Sequence, residues 1–156
     1  RMLIDYEERF YDKLAARKRK LSADSCLLAR EIAAWKRKVS AAWDQVRAVD
    51  VERVKIDKEA VCVGEKYRFS VTVDIANLRP EDIGVEMVIA RQIVGGQGVN
   101  VVRTIRLERT RTDNNLVTYA LDYTPDETGT FDVALRIYPC NPHLPHRMDF
   151  ALVKWA

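Results

Sequence analysis

The spacing of hydrophobic residues changes once along this chain. Up to about Arg47 apolar residues recur every three or four positions, which places them on one stripe of an α-helix. From Val49 onward the clearest segments alternate apolar and polar residues, the pattern of β-strands with one buried face. The pattern therefore predicts a mainly β protein that begins with helices.

The helical part contains two amphipathic stretches. We expect a first helix over residues 2–19 and a second over residues 22–47, with Ser22 and Asp24 as residues that can cap the second. A short polar joint near Ser22 predicts that the two form an α-helical hairpin. Such a pair cannot bury both apolar stripes by itself, so a further surface must cover them. The aromatic residues predicted to pack against that surface, as interdomain contacts, are Tyr6, Phe10, Trp35 and Trp43.

The β part divides into about seven strands separated by turn residues. Alternation is clearest over 67–75, 117–123 and 131–137, and less regular over 51–56, 85–91, 101–109 and 150–155. Seven short strands without a helix-length insertion are typical of an immunoglobulin-like antiparallel β-sandwich. We therefore predict a helical segment over 1–47 and a β-sandwich accessory domain over 48–156.

Charge and composition narrow the possible functions. Residues 1–47 hold 12 Lys and Arg against 7 Asp and Glu, whereas residues 48–156 hold 14 against 16. The basic runs 17–20 and 36–38 allow a nucleic-acid binder as a third hypothesis, but they lack interleaved aromatic residues and a helix-turn-helix spacing. No apolar run is long enough to cross a bilayer, and three scattered cysteines do not indicate a disulfide framework. We expect a cytoplasmic protein without a membrane partner.

Candidate chemistry is sparse. Cys140, His143 and His146 could bind zinc, but two prolines among them favour a stiff loop, and no metal site is predicted. The glycine-rich stretch 95–98 joins two strands and lacks the features of a phosphate-binding loop. Tyr138 and Trp155 lie at strand ends, where exposed rings could stack on a sugar. The residues alone predict neither a catalytic site nor a bound cofactor, and favour a role in binding or packing.

Three short strings resemble a known family. They are Met2-Leu3-Ile4-Asp5-Tyr6 with Phe10-Tyr11, Ala33-Ala34-Trp35-Lys36 with Trp43, and Tyr138-Pro139-Cys140-Asn141-Pro142-His143-Leu144-Pro145-His146. In this order they resemble the extreme C-terminus of bacterial α-glucan (glycogen) phosphorylases of the shorter, archaeal-bacterial type.

The resemblance implies a parent glycosyltransferase that uses phosphate and pyridoxal phosphate to release glucose 1-phosphate from α-1,4-glucans. The cofactor lysine of that family precedes the matching segment, so this fragment is expected to have no activity and to bind no cofactor. We expect a C-terminal domain that acts in domain packing, oligomerisation or glucan contact, with Tyr138 and Trp155 as candidate glucan-contact residues. Its expected partners are the parent's catalytic domain, α-glucan and a second copy. The alternative is a free-standing carbohydrate-binding or protein-interaction sandwich.

Overall fold

A computed structural model of the chain describes residues 11–54, 62–93 and 98–156. The chain divides into two compact units, Arg1–Lys38 and Val39–Ala156. The beginning of the predicted first helix, with Tyr6 and Phe10, lies outside the described residues, and so does most of the glycine-rich stretch. No helix within the described ranges is long and apolar enough to span a membrane.

The described helix, α1, runs Asp12–Ala42 and is interrupted near its middle. Ala23 has ψ 157°, and the three residues after it have left-handed backbone angles, with φ between 48° and 62°. The predicted joint between two helices therefore exists, at residues 23–26. The capping role expected of Ser22 is wrong, because its hydroxyl donates backward to the Lys18 carbonyl oxygen at 2.7 Å, within the preceding turn.

The second helix ends earlier than residue 47. After Ala42 the chain forms a 3-10 turn, Trp43–Gln45, and Arg47 already begins the first strand. Trp43 and Val46 continued the helical spacing in the sequence, but a spacing of three also suits a 3-10 turn. Both side chains are buried, so the apolar pattern correctly predicted which residues join the core. It did not predict that the helix ends at Ala42.

Within the described residues, eight antiparallel strands form two four-stranded sheets, which confirms the predicted immunoglobulin-like β-sandwich. The first sheet contains, in spatial order, β1 (Arg47–Val54), β2 (Tyr67–Asp74), β6 (Leu116–Tyr123) and β5 (Glu108–Asp113). The second sheet contains β4 (Val99–Arg106), β3 (Ile83–Gln92), β7 (Asp132–Pro139) and β8 (Lys154–Trp155). These orders correspond to strands A, B, E, D and C′, C, F, G of immunoglobulin-type sandwiches.

The eighth strand comes from a segment predicted as one strand. Residues 101–109 divide at Leu107, with β4 in the second sheet and β5 in the first. Leu107 is fully buried at this crossing, and its N–H donates to the Val85 carbonyl oxygen at 2.9 Å. The predicted last strand, 150–155, is reduced to β8, because Arg147–Phe150 forms a 3-10 turn.

Alternating residues of both sheets form the core of the sandwich. Fully buried members include Val71 and Val73 of β2, Val117 of β6, Val85 and Met87 of β3, and Ile137 of β7. Tyr119 of β6 lies among them, with its hydroxyl 3.4 Å from the Ile83 carbonyl oxygen of the opposite sheet. Burial raises the pKa of Tyr119 to about 12.

Candidate functional site

Strand β3 is buried on both of its faces. Its first eight residues, Ile83 to Ala90, are all buried, whereas the outer face of an antiparallel sandwich sheet usually contacts water. Alternation assigns Val85 and Met87 to the core and places Gly84 and Glu86 on the outer face. The outer face of the second sheet must therefore be covered by other side chains.

The strand register identifies these side chains. Arg106 of β4 and Arg136 of β7 lie directly opposite Glu86 on either side, and Trp155 of β8 lies opposite Arg136. Register partners project from the same face of a sheet. Arg106, Glu86, Arg136 and Trp155 thus form one line across all four strands, which we call the Glu86 row.

Two arginines satisfy the buried carboxylate of Glu86. Arg136 donates to its Oε1 from Nε at 2.6 Å and also from Nη2, while Arg147 donates to Oε2 from Nη1. The side chains of Glu86, Arg136 and Arg147 are 3%, 19% and 36% exposed. A buried carboxylate is tolerable only when it is paired and hydrogen-bonded. Glu86 therefore fixes Arg136 and attaches the 3-10 turn that carries Arg147 to the sheet.

Trp155 lies at the exposed end of this row. The guanidinium carbon of Arg136 is 5.7 Å from the centroid of the Trp155 ring, within the range of a cation–π contact, and the residue is 59% exposed. The short strand that carries it is held at both sides. Lys154 Nζ donates to the carbonyl oxygens of Asp44 and Val46, and the Ala156 N–H donates to Leu135. The indole is therefore presented in a fixed position beside a fixed guanidinium.

Tyr138 packs on the same face but in a different environment. It lies opposite Gly84, where an added Cβ would be 2.6 Å from the Tyr138 Cζ atom. Arg147 covers the ring, with its guanidinium carbon 6.0 Å from the centroid. Burial raises the pKa of Tyr138, and the nearby Arg106 opposes that shift. Tyr138 is thus half-buried between the sheet and Arg147 rather than freely exposed.

The row carries an excess of positive charge. Arg106 Nη2 donates to the Cys140 sulfur at 3.5 Å, and no carboxylate in the described ranges forms an ion pair with Arg106. The row itself therefore holds two arginines and one carboxylate, and Arg147 adds a third guanidinium beside Glu86. The surface combines an indole plane with guanidinium donors, an arrangement that can stack on a sugar ring and donate to its hydroxyls.

The remaining sequence candidates lie elsewhere. Trp35 and Trp43 expose only 8% and 6% of their surface. His143 donates its backbone N–H to the Asn141 side chain in an exposed turn. In the described ranges no group of His, Cys, Asp and Glu is arranged to hold a metal ion.

Sequence reasoning predicted glucan contacts at Trp155 and Tyr138 and did not single out the charged residues beside them. Glu86 is the only charged residue in the run Val85-Glu86-Met87-Val88-Ile89-Ala90. A single acid within an otherwise apolar strand indicates a buried charge that needs a partner. Arg136 could not be recognised as that partner, because the alternation of β7 equally suits an exposed arginine.

Comparisons with known proteins agree on one family. Residues 43–156 match the family model described as glycogen phosphorylase C-terminal domain. The chain is 30% identical to the maltodextrin phosphorylase of Thermococcus litoralis over 99% of its own length and 18% of that protein. It is 27% identical to the glycogen phosphorylase of Mycobacterium tuberculosis over its whole length and 18% of that relative. No solved structure gives a significant match.

The family match covers the entire sandwich, from the 3-10 turn at Trp43 to the last residue, and so includes the Glu86 row. The two phosphorylase relatives extend the similarity across α1 as well. The chain spans about a fifth of the length of these relatives. The resemblance drawn from short strings is confirmed, and the chain belongs to the family of glycogen phosphorylase C-terminal domains.

Proposed function

We propose that this chain is the non-catalytic C-terminal part of an α-glucan phosphorylase and that its sandwich contacts the glucan through Trp155 and Arg136. The parent enzyme would cleave α-1,4-glucan with phosphate to give glucose 1-phosphate. The pyridoxal phosphate that such an enzyme uses would be bound by its catalytic part. The family match and the phosphorylase relatives support this parentage.

The observation that carries the glucan contact is the exposed indole of Trp155, held beside Arg136 by the buried carboxylate of Glu86. A fixed aromatic ring loses little conformational entropy when a flat sugar face packs on it. The guanidinium of Arg136 lies over one face of that ring, so a sugar would pack on the opposite face. Tyr138 contributes by packing, since its ring lies over Gly84 and under Arg147.

Affinity electrophoresis in gels that contain glycogen tests the proposal directly. The wild-type chain should be retarded, and Trp155→Ala should lose about tenfold or more in apparent affinity. Phe131→Ala is a matched control, because it removes a different ring stacked on an arginine, with Arg91 4.5 Å from its centroid. Tyr138→Phe should retain binding. A wild-type chain that migrates unretarded would exclude the glucan contact.

A second role, docking onto the parent's catalytic part, is favoured by the edge strand β4. Its exposed residues include Val99, Val101 and Val102, an unusual concentration of apolar side chains on one edge. Because the chain spans only about a fifth of its phosphorylase relatives, the catalytic part is the natural occupant of this edge. The packing role of Tyr6, Phe10, Trp35 and Trp43 stays a prediction.

Docking can be tested by co-purification of the chain with a separately expressed catalytic part. Val101→Lys should weaken the complex, whereas Thr104→Lys, an exposed change on the same strand, should not. Self-association of the wild-type chain that Val101→Lys abolishes would instead favour oligomerisation through this edge.

A further inference from the structure

A polar cleft lies at one end of the first sheet, and none of its lining residues belongs to the Glu86 row. It has a volume of about 460 Å³ and is lined by Gln45, Arg47, Asp74, Ala76, Asn77 and Asn115. These residues come from three places that meet there: the start of β1, the end of β2 and the turn between β5 and β6. The cleft is an open groove and not an enclosed pocket, so a ligand in it would keep one side in water.

The floor of this cleft is built around Asp74. Its Oδ1 accepts from the Ala76 N–H at 3.0 Å and from Asn115 Nδ2 at 2.7 Å, while its Oδ2 faces Arg47 Nη2 at 3.9 Å. The Ile75 N–H donates to the Asn115 carbonyl oxygen at 2.8 Å, which ties the two loops together. The positions of Ala76 and Asn115 are therefore fixed by bonds between the loops.

Two residues near this cleft have left-handed backbone angles, and only that of Ala76 is unusual, because Asn114 lies in the two-residue turn between β5 and β6. Ala76 in its lining and Asn114, next to Asn115, both have φ of +54°. Left-handed geometry is tolerated by asparagine but costs roughly 1 kcal/mol for alanine. Such conformations occur preferentially at ligand-binding positions.

The chemistry of the lining selects a class of ligand. Arg47 and Asp74 carry opposite charges, so the cleft has no net charge to attract an anion or a cation. The side-chain amides of Gln45 and Asn77 are exposed, and neither forms a hydrogen bond with another described residue. A carboxamide both donates and accepts, as a hydroxyl group does. The lining contains no aromatic ring, so a ligand would contact it through hydroxyl edges and not by stacking.

We infer that this cleft is a binding site for a neutral polyhydroxylated ligand, namely a segment of oligosaccharide. Gln45 and Asn77 hydrogen-bond its hydroxyls, and Arg47 donates to a ring or hydroxyl oxygen. The site shares no residue with the Trp155 surface and so goes beyond the proposed glucan contact. A chain with both sites holds one glucan at two points or two glucan ends at once, and gains avidity in either case.

The test uses the 156-residue chain with Trp155→Ala, so that the Trp155 surface does not contribute. Maltohexaose is titrated while the amide chemical shifts of the chain are recorded. Saturable shifts are expected at the amides of Ala76, Asn77 and Asn115 and at the side-chain amide of Gln45. Adding Gln45→Ala and Asn77→Ala should weaken this binding about five- to tenfold or more, because each removes a hydrogen bond to the ligand.

The matched control is the pair Gln92→Ala and Asn100→Ala, which removes two exposed amides from the second sheet and should leave the titration unchanged. If the alanine pair lowers the stability of the chain, Gln45→Glu and Asn77→Asp replace the same donors without loss of volume. Absence of shifts at the four amides overturns the inference. Shifts produced by inorganic phosphate and not by maltohexaose also overturn it, because the site would then select an anion. Failure of glucan binding at Trp155 would be seen separately in the gel experiment.

Discussion

Replacing Glu86 with glutamine should destabilise the sandwich more than any comparable change at its surface. Glutamine has nearly the same volume, so the change removes the charge without leaving a cavity. The carboxylate accepts from Arg136 and Arg147 through different oxygens, whereas an amide has a single acceptor oxygen. One arginine must therefore lose its partner, and the other loses a charged acceptor.

The size of the effect follows from the burial of the partners. Removing one member of a fully buried ion pair costs about 3–5 kcal/mol. Arg147 retains access to water and can recover part of its hydration, so a loss of about 2–3 kcal/mol is expected. For a unit of this size the melting temperature, Tm, should fall by roughly 8–12 °C.

Urea unfolding followed by circular dichroism in the β-sheet band measures this loss. The matched control is Glu127→Gln, which neutralises an exposed carboxylate that pairs with Arg91 at 3.0 Å. That change should cost under about 1 kcal/mol, because surface ion pairs contribute little. If Glu86→Gln costs no more than Glu127→Gln, the reasoning about the buried carboxylate is refuted. Combining Glu86→Gln with Arg147→Gln should cost less than the sum of the two, since the uncompensated charge is then removed.

Three further predictions concern other contacts in the sandwich. Gly84→Ala should lower the free energy of unfolding by about 1–3 kcal/mol, because the added Cβ overlaps the Tyr138 ring. In a Tyr138→Ala background most of this loss should disappear. An equal loss in both backgrounds would argue against the contact. Leu107→Ala should lower the free energy of unfolding by about 2–4 kcal/mol, measured in urea. Leu116 of β6 is partly exposed, so Leu116→Ala should lower it by less than about 1 kcal/mol. Similar losses would mean that Leu107 is not closely packed where the chain crosses between the sheets. The pKa of the Tyr119 hydroxyl is raised from 10.0 to about 12, so above pH 10 the unfolded chain loses this proton more readily than the folded chain. The free energy of unfolding should therefore fall by roughly 2–3 kcal/mol between pH 10 and 12. Tyr119→Phe should lack that part of the decline, and identical pH profiles of the two proteins would contradict the assignment.

Strict alternation made β2, β6 and β7 predictable from the sequence. Burial alternates throughout β2, whereas Ala120 of β6 is buried next to Tyr119 and Val133 of β7 is exposed, so burial follows the hydrophobic pattern closely but not at every position. The division at Leu107 was not predictable in the same way. The sequence Ile105-Arg106-Leu107-Glu108-Arg109 continues the alternation without a glycine or proline, although the chain leaves one sheet and enters the other there.

The candidate site could be predicted only in part from the sequence, for a related reason. Trp155 and Tyr138 were recognisable as aromatic residues near strand ends, but the sequence treats them as equivalent. The structure separates them through contacts made far along the chain, since Tyr138 meets Gly84 and Trp155 meets Arg136. The lining of the polar cleft depends even more on long-range pairing, because the hydrogen bond between Asp74 and Asn115 joins residues 41 positions apart.

The position of Trp155 depends on the same ion pairs that stabilise the second sheet. If the segment from Arg147 to the end of the chain were released, Glu86 would keep Arg136, but Glu86 and the Tyr138 ring would lose the cover of Arg147. The free-energy cost of losing these contacts opposes local opening of the terminal segment. The segment would otherwise be weakly held, because β8 pairs with β7 at only two residues. A buried carboxylate on a central strand thus holds a ring near the chain terminus in place, which explains why a charged residue is found within the apolar run of β3. It follows that Glu86→Gln should weaken glycogen retention at temperatures well below its Tm, because the terminal segment opens before the sandwich unfolds.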